Sequence, residues 1–324
     1  MTGHIYRRRV ADRERVSRVF LRFPKMPEPK SNFIVAIRDL RSFEDFKQVE
    51  AVEREVWALS DLDTLPLTLT IATREAGGIW LGAFEGAELV GFAFGFLGLD
   101  ENRPNVHSHM LAVRPPYRDR DLGYKLKLAQ RERVLSLRVG DLRIREITWT
   151  FDPLQSKNAH LNFAKLGVIS PSYRIDFYGP ETSSPLHRNS TDRFWVKWPI
   201  TSRRVQTRLE GKDARAEMLD ALKTLSPLVQ FNGDGRPHRA DLDAALQRQR
   251  IAIEIPSDIL SLEQRDPSLA REWRLATRWA FTEALRGGFF VAEFCRTVRG
   301  QQGPGAYLLE KGKVEEYVPE LTYP

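Results

Sequence analysis

The sequence has few of the residues that build cross-linked or metal-rich folds. Its 324 residues include a single cysteine, Cys295, and six histidines. One cysteine cannot form an internal disulfide, and scattered histidines without further cysteines do not supply a Cys-rich zinc site. We therefore expect a protein of a reducing, cytoplasmic compartment that works without a bound metal.

Long apolar runs are also missing. The most apolar stretch, residues 79–99, contains Glu85 and Glu88 on either side of Gly86, a pattern typical of two strands joined by a tight turn and not of a membrane span. Hydrophobic residues make up 42% of the chain and charged residues 29%, which excludes collagen-like, coiled-coil and wholly disordered chains. A length of 324 residues favours two domains, at about 150 residues for each.

The positive charge is concentrated at the N terminus. Residues 1–30 hold nine Lys or Arg and three acids, so they carry +6 of the chain's net charge of +7. Such a segment can contact phosphates or an acidic surface. The interpretation we favour is a disordered extension over residues 1–31, or a start of translation near Met26. No apolar segment follows the arginines, so the pattern does not predict a secretory signal.

The order of predicted elements is that of a mixed α/β protein. Residues 34–40 form a predicted strand, and Ser42 with Asp45 forms a short capping box that opens an amphipathic helix. Continued along the chain, the patterns predict the order β-α-α-β-β-β-α-β-α-β-β over residues 32–200. Residues 201–324 are predicted to form a smaller unit of helices and a β-α-β-β segment.

The most informative segment joins a predicted strand ending at Val113 to a helix that starts near Leu122. Backbone amides at a helix start are unpaired, and together with the helix dipole they attract anions. Gly123 allows close backbone approach, while Arg118 and Arg120 add positive charge. The segment predicts a cradle for phosphate or pyrophosphate. A plain strand–loop–helix turn with solvated arginines remains the alternative.

Two histidines on the same strand are candidate catalytic residues. His107 and His109 point to the same face because side chains alternate along a strand. An amine must lose a proton before it attacks, and a histidine of ordinary pKa can take that proton directly or through water. A pair of buried structural histidines is the alternative. Asp152, after the next strand, either binds a substrate amine or is a turn residue before Pro153.

These motifs resemble the acyl-CoA site of the GNAT superfamily of N-acetyltransferases. The family pattern is Gln/Arg-x-x-Gly-x-Gly/Ala after a strand, and this sequence has Arg118-x-x-Asp121-x-Gly123. A second stretch, residues 158–167, is similar to the family's Asn…Leu-Tyr-x-Lys-Leu-Gly-Phe helix. The resemblance covers about residues 34–198. It implies an α/β (α+β) fold with a mixed, mostly antiparallel sheet flanked by helices.

The resemblance also implies a function and a set of site residues. Acetyl-CoA or another acyl-CoA would be the co-substrate, and its acyl group would pass directly to an amine. Backbone groups of one strand would pair with pantetheine, and amides of the following loop would hold the pyrophosphate. The implied CoA-binding residues are Leu111, Val113, Arg118, Arg120, Asp121, Leu122, Gly123, Tyr124, Asn158 and Phe163. The candidate catalytic residues are His107, His109 and Asp152.

Two residues depart from the family pattern. Asp121 replaces a glycine and places an acid beside the pyrophosphate, unless Arg118 and Arg120 offset it or it caps the helix. Phe163 stands where many members have a tyrosine that protonates the leaving thiolate. The candidate substitutes for that tyrosine are Tyr124, Tyr173, Tyr178 and water. Two functions therefore remain open: an N-acyltransferase, or a non-catalytic acyl-CoA-binding module of the same fold.

Two further resemblances concern the acceptor and the C-terminal part. The His-x-His-x-Leu-Ala-Val pattern resembles serotonin-type arylalkylamine N-acetyltransferases, and residues 254–278 resemble the C-terminal portion of a predicted-acyltransferase branch of the superfamily. Because the β-α-β-β order of this part repeats that of the first unit's second half, we expect a second, smaller α/β domain similar to half a GNAT unit. There Arg274 and Arg278 share one helix face, which is either a solvated stripe or a contact with an anion, and we expect the solvated stripe. We expect a small-molecule amine as partner, with no membrane. Nucleic acid is not favoured, and a homodimer is left open.

Overall fold

The described part of the protein is built around one mixed sheet of twelve strands with helices packed against it. The computed structural model describes residues 35–318, apart from residues 62, 101–102, 181, 183, 212–219, 223 and 297–303. The basic segment 1–31, which we expect to be disordered, lies outside these residues. The predicted α/β class is confirmed.

The first helix shows how local sequence signals position an element. The Ser42 hydroxyl accepts a hydrogen bond from the Asp45 amide, and the Asp45 carboxylate accepts one from the Ser42 amide. This capping box pairs backbone donors that a helix start leaves open. Phe46, Val49 and Val52 recur at helical spacing and are almost completely buried. The helix therefore buries the face that the sequence predicts.

The first half of the chain follows the predicted element order, with one short hairpin, β5–β6, added. Its elements are β1 (Val35–Asp39), α1 (Phe43–Trp57), α2 (Leu67–Glu75), β2 (Ile79–Glu85), β3 (Glu88–Asp100), β4 (Arg103–Val113), α3 (Leu122–Leu135), β5 (Arg138–Val139), β6 (Leu142–Arg143), β7 (Glu146–Phe151), α4 (Ser156–Ala159), β8 (Ile169–Arg174) and β9 (Arg193–Pro199). A π-helix, His160–Leu166, continues α4. Short 3-10 turns form at Pro115–Tyr117 and Pro185–His187.

The second half contains shorter strands and one long helix. Its described elements are α5 (Arg203–Leu209), β10 (Val229–Phe231), β11 (Pro237–Arg239), α6 (Leu242–Leu246), β12 (Arg250–Ile255), α7 (Ile259–Arg265), α8 (Pro267–Arg286), β13 (Phe289–Cys295), β14 (Gly305–Lys311) and α9 (Val314–Tyr317). Asp266 caps α8 by accepting a hydrogen bond from the Leu269 amide, and Pro267 occupies its first position. No helix in these described ranges combines the length and apolar character that crossing a bilayer requires.

The strands of both halves lie in one sheet, in the order β1-β2-β3-β4-β7-β9-β8-β13-β14-β12-β10-β11. The pairs β4–β7 and β10–β12 are parallel, and the other described pairs of this sheet are antiparallel. The halves join where Ser170 of β8 pairs with Val291 of β13. The sheet is mostly antiparallel, as expected. The predicted domain boundary near residue 200 stays a prediction.

Helices α1 and α3 cover opposite faces of the sheet. α1 packs against a cluster that includes Phe92 and Phe94 of β3. On the other side, a Cβ added at Gly95 would lie 2.9 Å from Gln130 of α3. Since neighbouring residues of a strand point to opposite faces, the two helices enclose the sheet from both sides. The face covered by α1 is the one that carries the histidine pair described below.

Candidate functional site

Strands β4 and β7 form a fork. They pair in parallel only at Val106–Ile147 and His107–Thr148. Beyond these two pairs β4 continues to Val113 and β7 to Phe151, with no further pairing between them in the described chain. The strands therefore separate toward their carboxyl ends. The opening faces the loop that the sequence singled out as an anion cradle.

A β-bulge bends β4 at the fork. Ser108 and Met110 have partners in β3, and His109 between them has none in that ladder. A bulge bends its strand and redirects the side chains next to it. Gly95 of β3 is opposite the bulge, where a Cβ would come within 3.0 Å of the His107 carbonyl oxygen. The bulge lies where the pairing of β4 with β7 stops, and no larger residue fits at position 95 without rearrangement.

The two histidines lie on the same face, as predicted. Their ring centroids are 6.1 Å apart, and Phe96 lies 5.6 Å from His107 and 6.0 Å from His109. Nδ1 of His107 lies 3.1 Å from the Thr148 hydroxyl. Its ring stacks on Trp195 of β9 at a centroid distance of 4.9 Å. His107 is therefore held at the point where the two strands part.

The protein environment shifts the histidines toward the neutral form. Partial burial, together with the smaller effects of the nearby His109 and Lys127 charges, lowers the pKa of His107 to about 4. His109 is more exposed, yet the surrounding protein displaces part of its hydration, so its pKa also lies below the usual value. The assumption of an ordinary pKa is wrong for His107, which is neutral at pH 7 and a weak base.

A buried lysine lies beneath the fork, on the opposite face of the sheet from the histidines. Lys127 of α3 donates a hydrogen bond of 2.7 Å to the Ser108 hydroxyl. Its Nζ lies 3.6 Å from the centroid of the Trp149 ring. Burial lowers the pKa of this lysine well below its usual value. The sequence pattern did not single out Lys127, because it occupies an ordinary helix position.

A carboxyl group that the sequence pattern did not single out has a pKa better suited to proton transfer. Glu146 begins β7 and shares a face with Thr148, two residues along the strand. Glu146 is only 7% exposed, and this burial raises the pKa of its carboxyl group to about 7. Nζ of Lys197 lies 3.9 Å from its carboxylate and favours the charged form. A group of this pKa can take or release a proton at neutral pH.

The predicted anion loop has the expected backbone geometry. The first helical bond of α3 runs from the Lys125 amide to the Asp121 carbonyl, at 2.9 Å. The amides of Leu122, Gly123 and Tyr124 precede that bond, at the positive end of the helix dipole. Part of the loop is already engaged, however. The Arg118 amide donates to the Pro115 carbonyl at 3.2 Å, so the amides that can face an anion lie further along.

Arg118 also reaches back to the strand. Its Nε donates a 3.1 Å hydrogen bond to the carbonyl of Val113, one of the backbone groups predicted to pair with pantetheine. Leu111 points toward the start of α3, because a Cβ at Gly123 would lie 3.8 Å from its Cδ2. The absence of a side chain at position 123 therefore leaves room between the strand and the helix start. Arg120 is exposed beside this opening.

Two acids of the loop are paired with lysines from the helix after β7. Lys165 binds the carboxylate of Asp121, and Lys157 lies 3.2 Å from that of Asp119. The Lys165 ammonium lowers the pKa of Asp121. Asp121 does not cap α3 with its side chain. The acid that replaces a family glycine is thus offset by a residue of the second family-like motif, a pairing that the sequence did not predict.

Asp119 and Asp121 also have left-handed backbones. Their φ angles are 60° and 57°, in the region that favours glycine and is tolerated by Asp and Asn. Alternating left-handed residues turn successive amides toward one side of the chain, which makes an anion-binding concavity. The backbone at Asp121 is therefore one that a glycine would also adopt without strain.

Two other predicted CoA contacts have different surroundings. Asn158 is exposed inside α4 and does not cap it, because the helix begins at Ser156. Phe163 is completely buried among aromatic rings, including those of Phe194 and Tyr307 at 6.4 Å and 5.7 Å. Its side chain belongs to the core and does not face the fork, so we leave it out of the site proposed below.

Asp152 is held by an arginine from the second half of the chain. Both carboxylate oxygens accept hydrogen bonds from Arg274, at 2.7 and 2.8 Å, and the Leu154 amide donates a third. The Arg274 side chain is 1% exposed, and Arg278 binds Asp192. The expected solvated face of Arg274 and Arg278 is therefore wrong. Of the two interpretations of Asp152, the structure shows the turn residue.

Among the three candidate tyrosines, Tyr178 lies on the histidine face. Its hydroxyl is 3.1 Å from that of Thr150, two residues beyond Thr148 on β7. Tyr173 donates its hydroxyl proton to Asp192, and burial raises its pKa well above the usual value. Tyr124 lies in the first turn of α3 near Lys165.

In the described chain, no cluster of three or more His, Cys, Asp or Glu side chains is arranged to hold a metal ion.

Solved N-acetyltransferase structures are similar to this chain over about half its length. The ribosomal-protein-S18-alanine N-acetyltransferase of Escherichia coli is 15% identical, with 52% of this chain and 94% of that chain covered and a TM-score of 0.39. NAA60 of Arabidopsis thaliana, solved with acetyl-CoA, is 13% identical, with 51% and 99% covered and a TM-score of 0.41. A GNAT-family acetyltransferase of Streptococcus pneumoniae is 14% identical, with 51% and 98% covered and a TM-score of 0.40.

Comparison of the sequence itself with family models and curated proteins found no match, unlike the comparison of structures. The similarity found is therefore to solved acetyltransferase structures over about half of this chain.

Proposed function

We propose that the protein is an acyl-CoA-dependent N-acyltransferase that passes an acyl group directly to an amine at the fork between β4 and β7. One observation supports this above all: an anion-binding helix start and a titratable cluster lie at opposite ends of the same diverging strand. From Val113 to His107, β4 spans about 20 Å at the usual rise of a strand. An extended thioester laid along this segment has its phosphates at one end and its reactive carbon at the other.

The loop residues are suited to the pyrophosphate. The amides of Leu122, Gly123 and Tyr124 point out of the helix start, and Arg118 and Arg120 add positive charge. The loop's own acids do not repel the ligand strongly, because Lys157 and Lys165 pair with them. Backbone groups of Leu111 and Val113 on the open side of β4 are proposed to pair with the pantetheine arm.

The proposed reaction forms a C–N bond and breaks a C–S bond. The amine nitrogen attacks the thioester carbonyl carbon, and the CoA thiolate leaves. The proton lost by the amine passes to the Glu146 carboxylate, directly or through water, and Tyr178 is placed to supply a proton to the thiolate. Neutral His107, fixed by Thr148 and Trp195, orients the amine or a water without itself taking the charge.

A second candidate function is acyl-CoA binding without turnover. It is favoured by the core position of Phe163, where related enzymes place a proton-donating tyrosine, and by the weak basicity of His107. The two functions share the loop and differ only in proton transfer at the fork. An assay that responds to the amine therefore separates them.

The test is release of free thiol from acetyl-CoA with and without a panel of amines, with mass detection of the N-acetyl product. We expect release to depend on the amine and to fall by about 10²-fold or more in Glu146→Gln. Glu132→Gln, on the exposed face of α3, is the matched control and keeps the rate. Binding of CoA by calorimetry without amine-dependent release supports the binding module instead.

The acceptor, the cellular location and the partners of the protein remain to be named. We also propose a small-molecule amine as acceptor and a cytoplasmic location, the latter supported by the single cysteine, which is buried. That nucleic acid is not a partner stays a prediction, and the homodimer stays open.

A further inference from the structure

A cavity of about 420 Å³ lies next to the fork. It is lined by Asn105, two residues before His107 on β4, and by Trp195, whose ring stacks on His107. The cavity thus lies on the histidine face, toward the amino ends of β4 and β7. The anion loop is at the carboxyl end of β4, so the cavity is on the other side of His107 from the proposed pyrophosphate site.

The inner wall of the cavity contains one lysine close to two carboxylates. Nζ of Lys197 lies 2.7 Å from the Asp100 carboxylate and 3.9 Å from that of Glu146. Aromatic rings of Trp195 and Phe177 form another part of the wall, with their centroids 6.2 Å apart. This combination suits a ligand with an amine near Glu146 and an apolar body against the rings.

The outer part of the cavity adds an unmatched positive charge. Arg174 lies at the end of β8, on the face shared by Ser172 and Trp195, which are partners in the β8–β9 ladder. Within the described residues its side chain has no ion pair or hydrogen bond, although Glu315 also lines the cavity. Arg103 is a second guanidinium of the lining. A guanidinium that has no partner among the described residues, such as that of Arg174, can bind a carboxylate through two parallel hydrogen bonds.

We propose that the acyl acceptor carries a carboxylate as well as its amine, and that Arg174 binds this carboxylate in the cavity beside His107. The acceptor class is then that of amino acids with an apolar or aromatic side chain. The amine lies toward Glu146 and the fork, the side chain lies against Trp195 and Phe177, and the carboxylate faces Arg174. This inference rests on the proposed function, which supplies the reason for an amine at the fork.

The test compares three ligands that differ in one group. L-phenylalanine, L-phenylalaninamide and phenethylamine are titrated by calorimetry into the full chain saturated with CoA. We expect L-phenylalanine to bind at least about tenfold more tightly than either ligand without the carboxylate. Arg174→Gln removes this preference. Arg188→Gln, an exposed arginine outside the cavity lining, keeps it.

The outcomes separate this inference from the proposed function. Equal binding of the three ligands, a preference for phenethylamine, or no binding of L-phenylalanine overturns the carboxylate site. A preference that survives in Arg174→Gln overturns it as well. If L-phenylalanine binds through Arg174 but no N-acetyl product forms from acetyl-CoA, the cavity assignment stands and the acyltransferase fails. If phenethylamine is acetylated without any carboxylate preference, the acyltransferase stands and the carboxylate site fails.

Discussion

At the scale of single residues, His107 and Glu146 show how one physical cause shifts two pKa values in opposite directions. Burial disfavours the charged form of each group, so it lowers the pKa of the histidine to about 4 and raises that of the carboxyl to about 7. At neutral pH the histidine is uncharged, whereas the carboxyl is within the pH range in which it gains and loses its proton. The group able to take a proton there is Glu146.

This difference predicts the pH dependence of the reaction. A base acts in its unprotonated form, so kcat/KM should rise with pH through a value near 7 set by Glu146. His107→Gln should keep that ionisation, while Glu146→Gln should lose it. Both variants are measured with the same acceptor, so that the acceptor's own ionisation cancels in the ratio to the native rate. An unchanged profile in Glu146→Gln would remove this residue from the mechanism.

The strained loop residue gives a second prediction. Asp121 has a φ of 57° and carries a negative charge close to the proposed pyrophosphate. Asp121→Gly relieves the left-handed backbone and removes the charge, whereas Asp121→Asn removes the charge alone. Both should bind CoA more tightly by calorimetry, about threefold or more, with the glycine variant at least as tight as the asparagine variant. Weaker CoA binding in both would show that the Asp121–Lys165 pair itself builds the site.

At the scale of elements, the turn between β7 and α4 is fixed by helix α8. Asp152 and Arg274 form a buried ion pair, and the Tyr307 hydroxyl of β14 donates to the carbonyl of Pro153 in the same turn. Arg274 Nε also donates to the carbonyl of Asn189 in the β8–β9 connection. The second half of the chain therefore positions two segments that border the fork, although it contributes none of the proposed catalytic side chains.

Removing one partner of this pair should be costly. Arg274→Met leaves the buried Asp152 carboxylate without its counter-ion, and such changes lower the free energy of unfolding by about 3–5 kcal/mol. Arg271→Met, on the exposed face of the same helix, should change it by less than about 0.5 kcal/mol. Urea unfolding of both variants measures the difference. Equal stabilities would mean that the ion pair does not hold the turn.

The element scale also shows what the sequence can predict. The capping box of Ser42, the element order and the shared face of the two histidines follow from local spacing, so they were predictable. The Asp152–Arg274 pair joins residues 122 positions apart and leaves no local pattern. Glu146 acquires its raised pKa only from tertiary burial, and Lys165 meets Asp121 only because two helices pack together.

At the scale of the whole molecule, the twelve-stranded sheet predicts that the two halves depend on each other. Phe194 and Tyr307 have ring centroids 5.4 Å apart, and Phe194 and Phe281 are 4.7 Å apart, so aromatic residues of both halves share one core. A chain that ends after Ile200 exposes this core and the edge of β8. We expect it to lack a cooperative thermal transition in circular dichroism. A cooperative transition with native CoA affinity would instead support a separate domain over residues 32–200.

The proposed acyl-CoA site at the fork is tested most directly by a crystal structure of the full chain with CoA. We expect pyrophosphate oxygens about 3 Å from the amide nitrogens of Gly123 and Tyr124. We also expect pantetheine along the open edge of β4, with the sulfur between β4 and β7 near His107 and Thr148. A pyrophosphate bound away from this loop, or a sulfur outside the fork, would contradict it.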